Sequence, residues 1–352
     1  MATMMDYVRY YKNVSFDEVA FNDLDSLIFT QIVYADLAEI VPNERGKYIL
    51  FSDAVRLFLK KFSGMEKKLP RFMKEVYELL KNLRENQRYQ NVRMYHYVKI
   101  VDHEKQFCAV TLRLPGMVYV AFEGTDTSII GWKEDFMLTN VFPVPAQRCA
   151  ISYLNDTIGI FDSSVFVGGH SKGGNLAMIS SMLASPKIRM KIKKVYNFDG
   201  PGVRKKEFES TVYKRMCRKL KMFVPEDSTV GMLLMHPKNY SVIKSHASGL
   251  WQHNPFTWEC FGGIFVSSKL TSRSENLEKS NLEFIGSLDE KERGRIIEVL
   301  FSIFEKLEIT DTSQIKIPKL NQAISLIKEI KAIDSDSRKK LITLFKILIK
   351  GL

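Results

Sequence analysis

The sequence predicts an α/β fold with a mixed, mostly parallel central sheet and a helical extension at its C-terminal end. Three observations predict it. Short runs rich in β-branched and aromatic residues fill 95–122, further runs at 165–167, 195–198, 221–224 and 240–243 alternate with helical patterns, and beyond about residue 267 the strand signals stop.

In chain order, Leu24, Leu27, Ile28, Val33 and Leu37 recur near helical spacing behind Asn22 and Asp23, which suit a helix start. A second helix is expected to open at Ser52. A third covers 70–84, with Phe72, Val76, Leu79, Leu80 and Leu83 on one face and Pro70 in the first turn, where its missing N–H costs nothing. These helices precede the sheet and are placed to flank or lid a site.

The runs 95–101, 107–114 and 117–122 are separated by turns short enough for antiparallel hairpins, Asp102-His103-Glu104-Lys105 and Pro115-Gly116. The later runs predict parallel strands joined by crossover helices. In the tail, Ser287-Leu288-Asp289-Glu290 reads as a capping box before Ile296, Ile297, Leu300, Ile303, Phe304 and Leu307. Two more helices are expected at 320–331 and 337–350. The last sets Lys339, Lys340, Lys346 and Lys350 against Leu341, Leu344, Phe345 and Leu348. Such a helix suits a membrane surface, but packing on its own domain is the preferred reading. The expected organisation is thus an N-terminal helical segment (1–90), an α/β core (91–266) and a C-terminal helical extension (267–352).

Composition narrows the function classes. The 352 residues are 45% hydrophobic, 11% aromatic and 26% charged, which places the chain among ordinary globular proteins. Cys108, Cys149, Cys217 and Cys260 are scattered without a CxxC pair, so free thiols are expected and neither a zinc site nor a redox motif is indicated. No cofactor is expected. The first 14 residues lack the apolar run of a secretory signal, making the cytoplasm the expected location. The formal charge of +12 would attract acidic substrates, nucleic acid or anionic membranes. Its lysines are spread over the whole chain without an Arg/Lys block interleaved with aromatics, so a solvated surface is expected and nucleic-acid binding is not.

The chemistry concentrates in Val165-Phe166-Val167-Gly168-Gly169-His170-Ser171-Lys172-Gly173-Gly174-Asn175, a G-x-S-x-G sequence between an apolar strand and an apolar helix. That context predicts a nucleophile elbow, in which the flanking glycines remove side chains that would collide and the serine oxygen projects above the sheet. The fold expected from it is of the α/β-hydrolase type. Ser171 also lies at a helix N-terminus, where the Lys172 amide is placed to stabilise an oxyanion. A phosphate-binding loop would need a different spacing ending in Lys-Ser/Thr, which is absent.

A serine needs a base and an orienting acid, in the chain order Ser, Asp/Glu, His. Asp227, 56 residues on (227 − 171), follows the apolar run Met222-Phe223-Val224 and ranks first; Asp199, after the strand next to the elbow, ranks second and Glu226 third. For the base, His253 in Trp251-Gln252-His253-Asn254-Pro255 ranks ahead of His246, with His236 weaker and His170 expected to point away from the serine. A second oxyanion donor is sought in Ala121-Phe122-Glu123-Gly124-Thr125-Asp126, where Gly124 permits close approach and the Thr125 amide could face the carbonyl oxygen.

Phe122-Glu123-Gly124-Thr125-Asp126, Gly131-Trp132-Lys133-Glu134-Asp135-Phe136, the Gly169–Asn175 elbow and Gln252-His253-Asn254-Pro255 together resemble the class 3 lipase-like α/β-hydrolases, and within them a bacterial branch. The resemblance implies Ser171 as nucleophile, Thr125 in the oxyanion hole, and Asp227 and His253 as the other triad members. Glu123 stands where an arginine is usual, and Lys172 replaces the apolar residue typical of true lipases. The expected function is hydrolysis of a lipid or small acyl ester through an acyl-enzyme. The competing expectation is a catalytically silent hydrolase fold that binds a partner or an anionic surface. Peripheral membrane contact is compatible with either, and oligomeric state stays open.

Overall fold

The computed structural model describes residues 1–306, 308–311 and 314. The helices expected at 320–331 and 337–350 lie outside them.

The N-terminal segment forms α1 (Met4–Tyr10), α2 (Asp23–Ile32), strand β1 (Ile49–Leu50), α3 (Phe51–Lys61) and α4 (Arg71–Leu83). Asn22 caps α2 by accepting from the amides of Leu24 and Asp25, while Asp25 accepts from the Asn22 amide. The sheet continues with β2 (Arg93–Val101), β3 (Gln106–Leu114) and β4 (Met117–Phe122). After α5 (Ile129–Met137) and α6 (Pro145–Thr157) come β5 (Val165–His170), α7 (Lys172–Leu183), α8 (Pro186–Lys191), β6 (Ile192–Phe198), α9 (Lys205–Phe208), α10 (Thr211–Cys217), β7 (Leu220–Pro225) and β8 (Ser241–Ile243). A hairpin, β9 (Cys260–Phe261) and β10 (Ile264–Phe265), leads to α11 (Ser272–Gly286) and α12 (Glu290–Lys306).

The eight strands β1 to β8 lie in chain order, with antiparallel pairing from β1 to β4 and parallel pairing from β4 to β8. This order has a packing consequence. Parallel crossovers of constant hand in a monotonic sheet return their helices to the same face, so the opposite face needs another cover. The N-terminal helices supply it. Side chains alternate along each strand: Val118, Val120 and Phe122 of β4 pack with Leu176 and Ile179 of α7, whereas Tyr119 and Ala121 pack with Leu24, Ile28 and Phe29 of α2.

A buried ion pair locks the N-terminal cover in place. The Arg88 guanidinium is bidentate on Asp25, at 2.8 and 2.7 Å, and donates to the carbonyls of Ser15 and Val19. Tyr89 donates to the same carboxylate at 2.6 Å.

Three sequence expectations are corrected. The link between β7 and β8 contains no helix, because 226–240 folds as irregular turns. A helix the periodicity missed, α11, follows Thr271, whose hydroxyl caps the Ser274 amide. The capping box of α12 is formed two residues later than expected, by Asp289 and Glu292, whose side chains accept each other's amides at 2.8 and 3.0 Å. Among the described residues the four cysteines are free thiols, Cys108 and Cys260 buried, and no helix is long and apolar enough to cross a membrane.

Candidate active site

Ser171 occupies the one-residue bend between β5 and α7, with φ 56° and ψ −133°. A non-glycine residue held there stores roughly 1–3 kcal/mol and persists only where the surroundings over-determine it. They do so here: the Ser171 amide donates to the Phe198 carbonyl of β6 and its carbonyl accepts from the Gly174 amide, both at 2.9 Å. The flanking glycines are required by contact. A Cβ on Gly169 would lie 2.1 Å from the Gly173 carbonyl, and one on Gly173 would lie 2.3 Å from the Phe122 carbonyl oxygen. This close fit presses the first turn of α7 onto the ends of β5 and β4.

His253 ends a tight 3₁₀ turn, Gly249–His253, and its Nδ1 lies 2.7 Å from Oδ2 of Asp199. Asp199 directly follows β6, fully buried, in a left-handed conformation with φ 49°. Its other oxygen accepts from the Ser228 hydroxyl at 2.5 Å and the Gly231 amide at 3.1 Å.

This placement corrects the ranking of the acids. Asp227 does follow β7, but its carboxylate accepts from the Gly249 amide at 3.2 Å and from the Thr271 hydroxyl, while its own amide donates to Gln252 at 2.8 Å. It anchors the turn that carries His253 and leaves the ring to Asp199. The physical reason is lateral reach: the His253 turn folds back over the end of β6, the strand beside the elbow. Glu226 accepts from Ser268 and Ser245 instead. Of the rival bases, His246 is exposed and outside the cavity that Ser171 lines, and His236 is buried beside Glu278, 3.4 Å away.

The loop after β4 comes up against the elbow. A Cβ on Gly124 would be 3.0 Å from Cβ of Ser171 and 2.2 Å from the Tyr34 hydroxyl. The Gly124 amide donates to that hydroxyl at 3.1 Å. The next residue, Thr125, lines the same cavity as Ser171 and His253, and its hydroxyl donates to Asp135 Oδ2 at 2.5 Å. Burial pushes the Asp135 carboxyl up to about 6.

Lys172 contributes backbone at the start of α7, but its side chain turns away from the cavity. Its ammonium is buried, pairs with Glu134 at 3.2 Å and donates to the Gln106 carbonyl at 2.9 Å. The charge that distinguishes this elbow from an apolar one therefore lies beneath the site and does not face a substrate. Glu123, also buried, belongs to the same group through Gln106 Nε2 at 3.0 Å, and burial pushes its carboxyl up to about 8.

Sequence reasoning missed Tyr34 and the part played by His170. His170 points away from Ser171, as expected, and does so to a purpose. Its Nε2 lies 2.9 Å from the His253 carbonyl, which can only accept, so Nε2 carries the proton. Nδ1 must then accept from the Tyr34 hydroxyl at 3.2 Å, whose oxygen in turn accepts from Gly124. Burial holds His170 well below the usual histidine range and Tyr34 well above the usual phenol range, so both stay neutral and this proton order is fixed. One chain of hydrogen bonds thus joins the loop after β4, the N-terminal helical cover, the elbow and the His253 turn.

Ser171, His253 and Thr125 open into a cavity of about 400 Å³. Its walls are mainly apolar, with Leu233 and Leu250 from the loops, Phe136 from α5, and Phe284, Ile296 and Ile297 from α11 and α12. The C-terminal helices thereby form a cap over the serine, a role the sequence did not suggest.

Elbow, sheet and flanking helices define an α/β-hydrolase fold. Residues 83–302 match the model of the Mbeg1-like family, and the chain belongs to this lipase-like family. No curated protein matches the chain. Solved structures similar to it include the Rhizomucor miehei lipase propeptide complex (14% identity, TM-score 0.39, covering 73% of this chain and 77% of that one) and the M37 lipase (15% identity, TM-score 0.36, covering 73% and 79%). A fungal lipase-inhibitor complex matches at 13% identity and TM-score 0.36, covering 56% and 78%. The fold assignment rests on the chain's own topology.

Proposed function

We propose that the chain hydrolyses carboxylic esters, of lipids or of small acyl groups, through an acyl-enzyme on Ser171. The observation that carries this reading is that His253, which lines the same cavity as Ser171, has its Nδ1 2.7 Å from the carboxylate of buried Asp199. Asp199 accepts the Nδ1–H and so leaves Nε2 as the base. His253 takes the Ser171 proton as the hydroxyl attacks the ester carbonyl, and returns it to the leaving alkoxide; water then repeats the cycle and frees the acid.

The amides of Thr125 and Lys172 are the proposed oxyanion donors. The Gly124 amide is already committed to Tyr34, which makes Thr125 the donor from that loop. Its hydroxyl, donating to Asp135, ties the loop to α5. Removing one such donor typically costs ~10²–10³ in rate. The apolar walls favour an acyl chain over a charged group, and the buried Lys172 ammonium does not present its charge to the cavity.

The test is hydrolysis of p-nitrophenyl esters from acetate to decanoate. The reading expects turnover that Ser171→Ala and His253→Ala abolish, with a preferred chain length set by the cavity. Turnover by wild type that Ser171→Ala retains in full would refute it.

A further inference from the structure

At the far end of α7 from Ser171, about 15 Å along the helix for ten residues (181 − 171) at ~1.5 Å each, a second cavity opens. It is a space of about 280 Å³ bounded by α7, α8, β6 and α10. Arg189, Arg215 and Lys219 converge on it, and among the described residues none of the three forms an ion pair with a carboxylate. Two buried polar atoms at its edge, the Ser181 hydroxyl and Nε of Arg189, have no hydrogen-bond partner among the described residues. Ser181 is only 5% exposed. The floor is apolar, with Met182, Ile192, Val195 and Met216.

Like charges brought together without a counter-ion are costly, and unpaired buried donors add to that cost. Lys219 donates to the Arg189 carbonyl at 2.8 Å, which ties its ammonium to the residue whose side chain lines the same space. Burial, then Lys193 and Arg189, press the Lys219 ammonium below the usual lysine range, with no carboxylate among the causes. An anion would relieve all of these at once.

We infer that this cavity is a binding site for a small amphiphile with a single anionic head, carboxylate or phosphate, and a short aliphatic tail. The head faces Arg189, Lys219 and the Ser181 hydroxyl, and the tail lies on the methionine, isoleucine and valine floor. A space of about 280 Å³ is at the lower limit of ligand pockets, of which typical volumes are about 300–1,000 Å³, which favours a short tail. The inference concerns binding alone and stands whether or not Ser171 is a nucleophile.

The full chain is titrated calorimetrically with hexanoate and with hexyl phosphate, using hexanol as the uncharged control and inorganic phosphate as the head alone. Saturable, salt-sensitive binding of at least one anionic amphiphile is expected, in the millimolar range or tighter, with hexanol and inorganic phosphate weaker. The ratio of hexanoate to hexyl phosphate identifies the preferred head. Loss of one charged hydrogen bond in Arg189→Gln should weaken binding about tenfold or more, and Lys219→Gln should do likewise, each with an unchanged far-ultraviolet spectrum. Ser171→Ala should bind as wild type does. Absence of saturable binding, hexanol binding as tightly as hexanoate, or binding unaltered in both folded variants overturns the inference.

Discussion

The imidazole rings of His170 and His253 lie 4.6 Å apart, centroid to centroid and tilted by 32°, while Nε2 of His170 donates to the backbone carbonyl of His253 at 2.9 Å. The residue before Ser171 is therefore the seat of the turn that carries His253, the base of the proposed reading. Because His170 also accepts from Tyr34, and Tyr34 from the Gly124 amide, a hydroxyl contributed by the N-terminal cover links the His253 turn to the loop after β4.

Tyr34→Phe keeps the ring packed against Phe72 and removes only the hydroxyl. Misplacement of reacting groups by a fraction of an ångström is costly, so kcat should fall about tenfold to a hundredfold. KM should change little, because Tyr34 does not line the cavity. Steady-state kinetics on a p-nitrophenyl ester check this; a change confined to KM, with kcat intact, would argue against the positioning role.

Asp199 and Asp227 are separated by the same kind of comparison. Asp199→Asn leaves an amide where the Nδ1–H needs an acceptor, and kcat should drop by about 10⁴, as loss of a triad acid does. Asp227→Asn alters the anchor of the His253 turn and should cost far less. The reverse order of effects would restore Asp227 as the acid.

Glu123 gives a pH dependence of stability. Its carboxyl, near 4.5 in the unfolded chain, is pushed up to about 8 in the folded one, chiefly by burial. Between these values the folded protein holds a proton that the unfolded chain has lost, so this group's contribution to stability falls as pH rises from about 4.5 to about 8. Glu123→Gln can still accept from Gln106 and removes the titration. Urea unfolding at intervals from pH 5 to 8 should show a smaller decline for the variant than for wild type.

Arg88→Met strands the Asp25 carboxylate in the core, where only neutral donors, the Tyr7 and Tyr89 hydroxyls and the Asn22 amide, would face it. Removing one partner of a buried pair costs about 3–5 kcal/mol, read as a lower urea midpoint. The double variant Arg88→Met/Asp25→Leu should recover part of the loss, since the stranded charge is gone.

Much of the fold could be read from the residues because the strand runs are long, apolar and separated by Gly, Pro and Asp turns: all eight sheet strands except the two-residue β1 fall on predicted runs. The elbow was legible for the same reason, since Gly169 and Gly173 are demanded by contacts that no other residue survives. Asp199 ranked second because chain order cannot show that the His253 turn bends back over β6. The stretch Asp199-Gly200-Pro201-Gly202 did mark a sharp turn beside the elbow, and the 2.3 Å approach that a Cβ on Gly200 would make to the Ser171 carbonyl oxygen explains it. Tyr34 was illegible, since it lies 137 residues before Ser171 (171 − 34) within an apolar helical pattern that accounts for it equally well.

In the proposed reaction the Ser171 hydroxyl becomes covalently bound to an acyl or acyl-like group with His253 as its base. The most direct measurement is fluorophosphonate labelling of the folded protein, followed by peptide mass spectrometry. The account predicts one adduct, on Ser171, lost in Ser171→Ala and much slowed in His253→Ala and Asp199→Asn. An unlabelled wild type, or an adduct that forms at the same rate without the His253 imidazole, would contradict it.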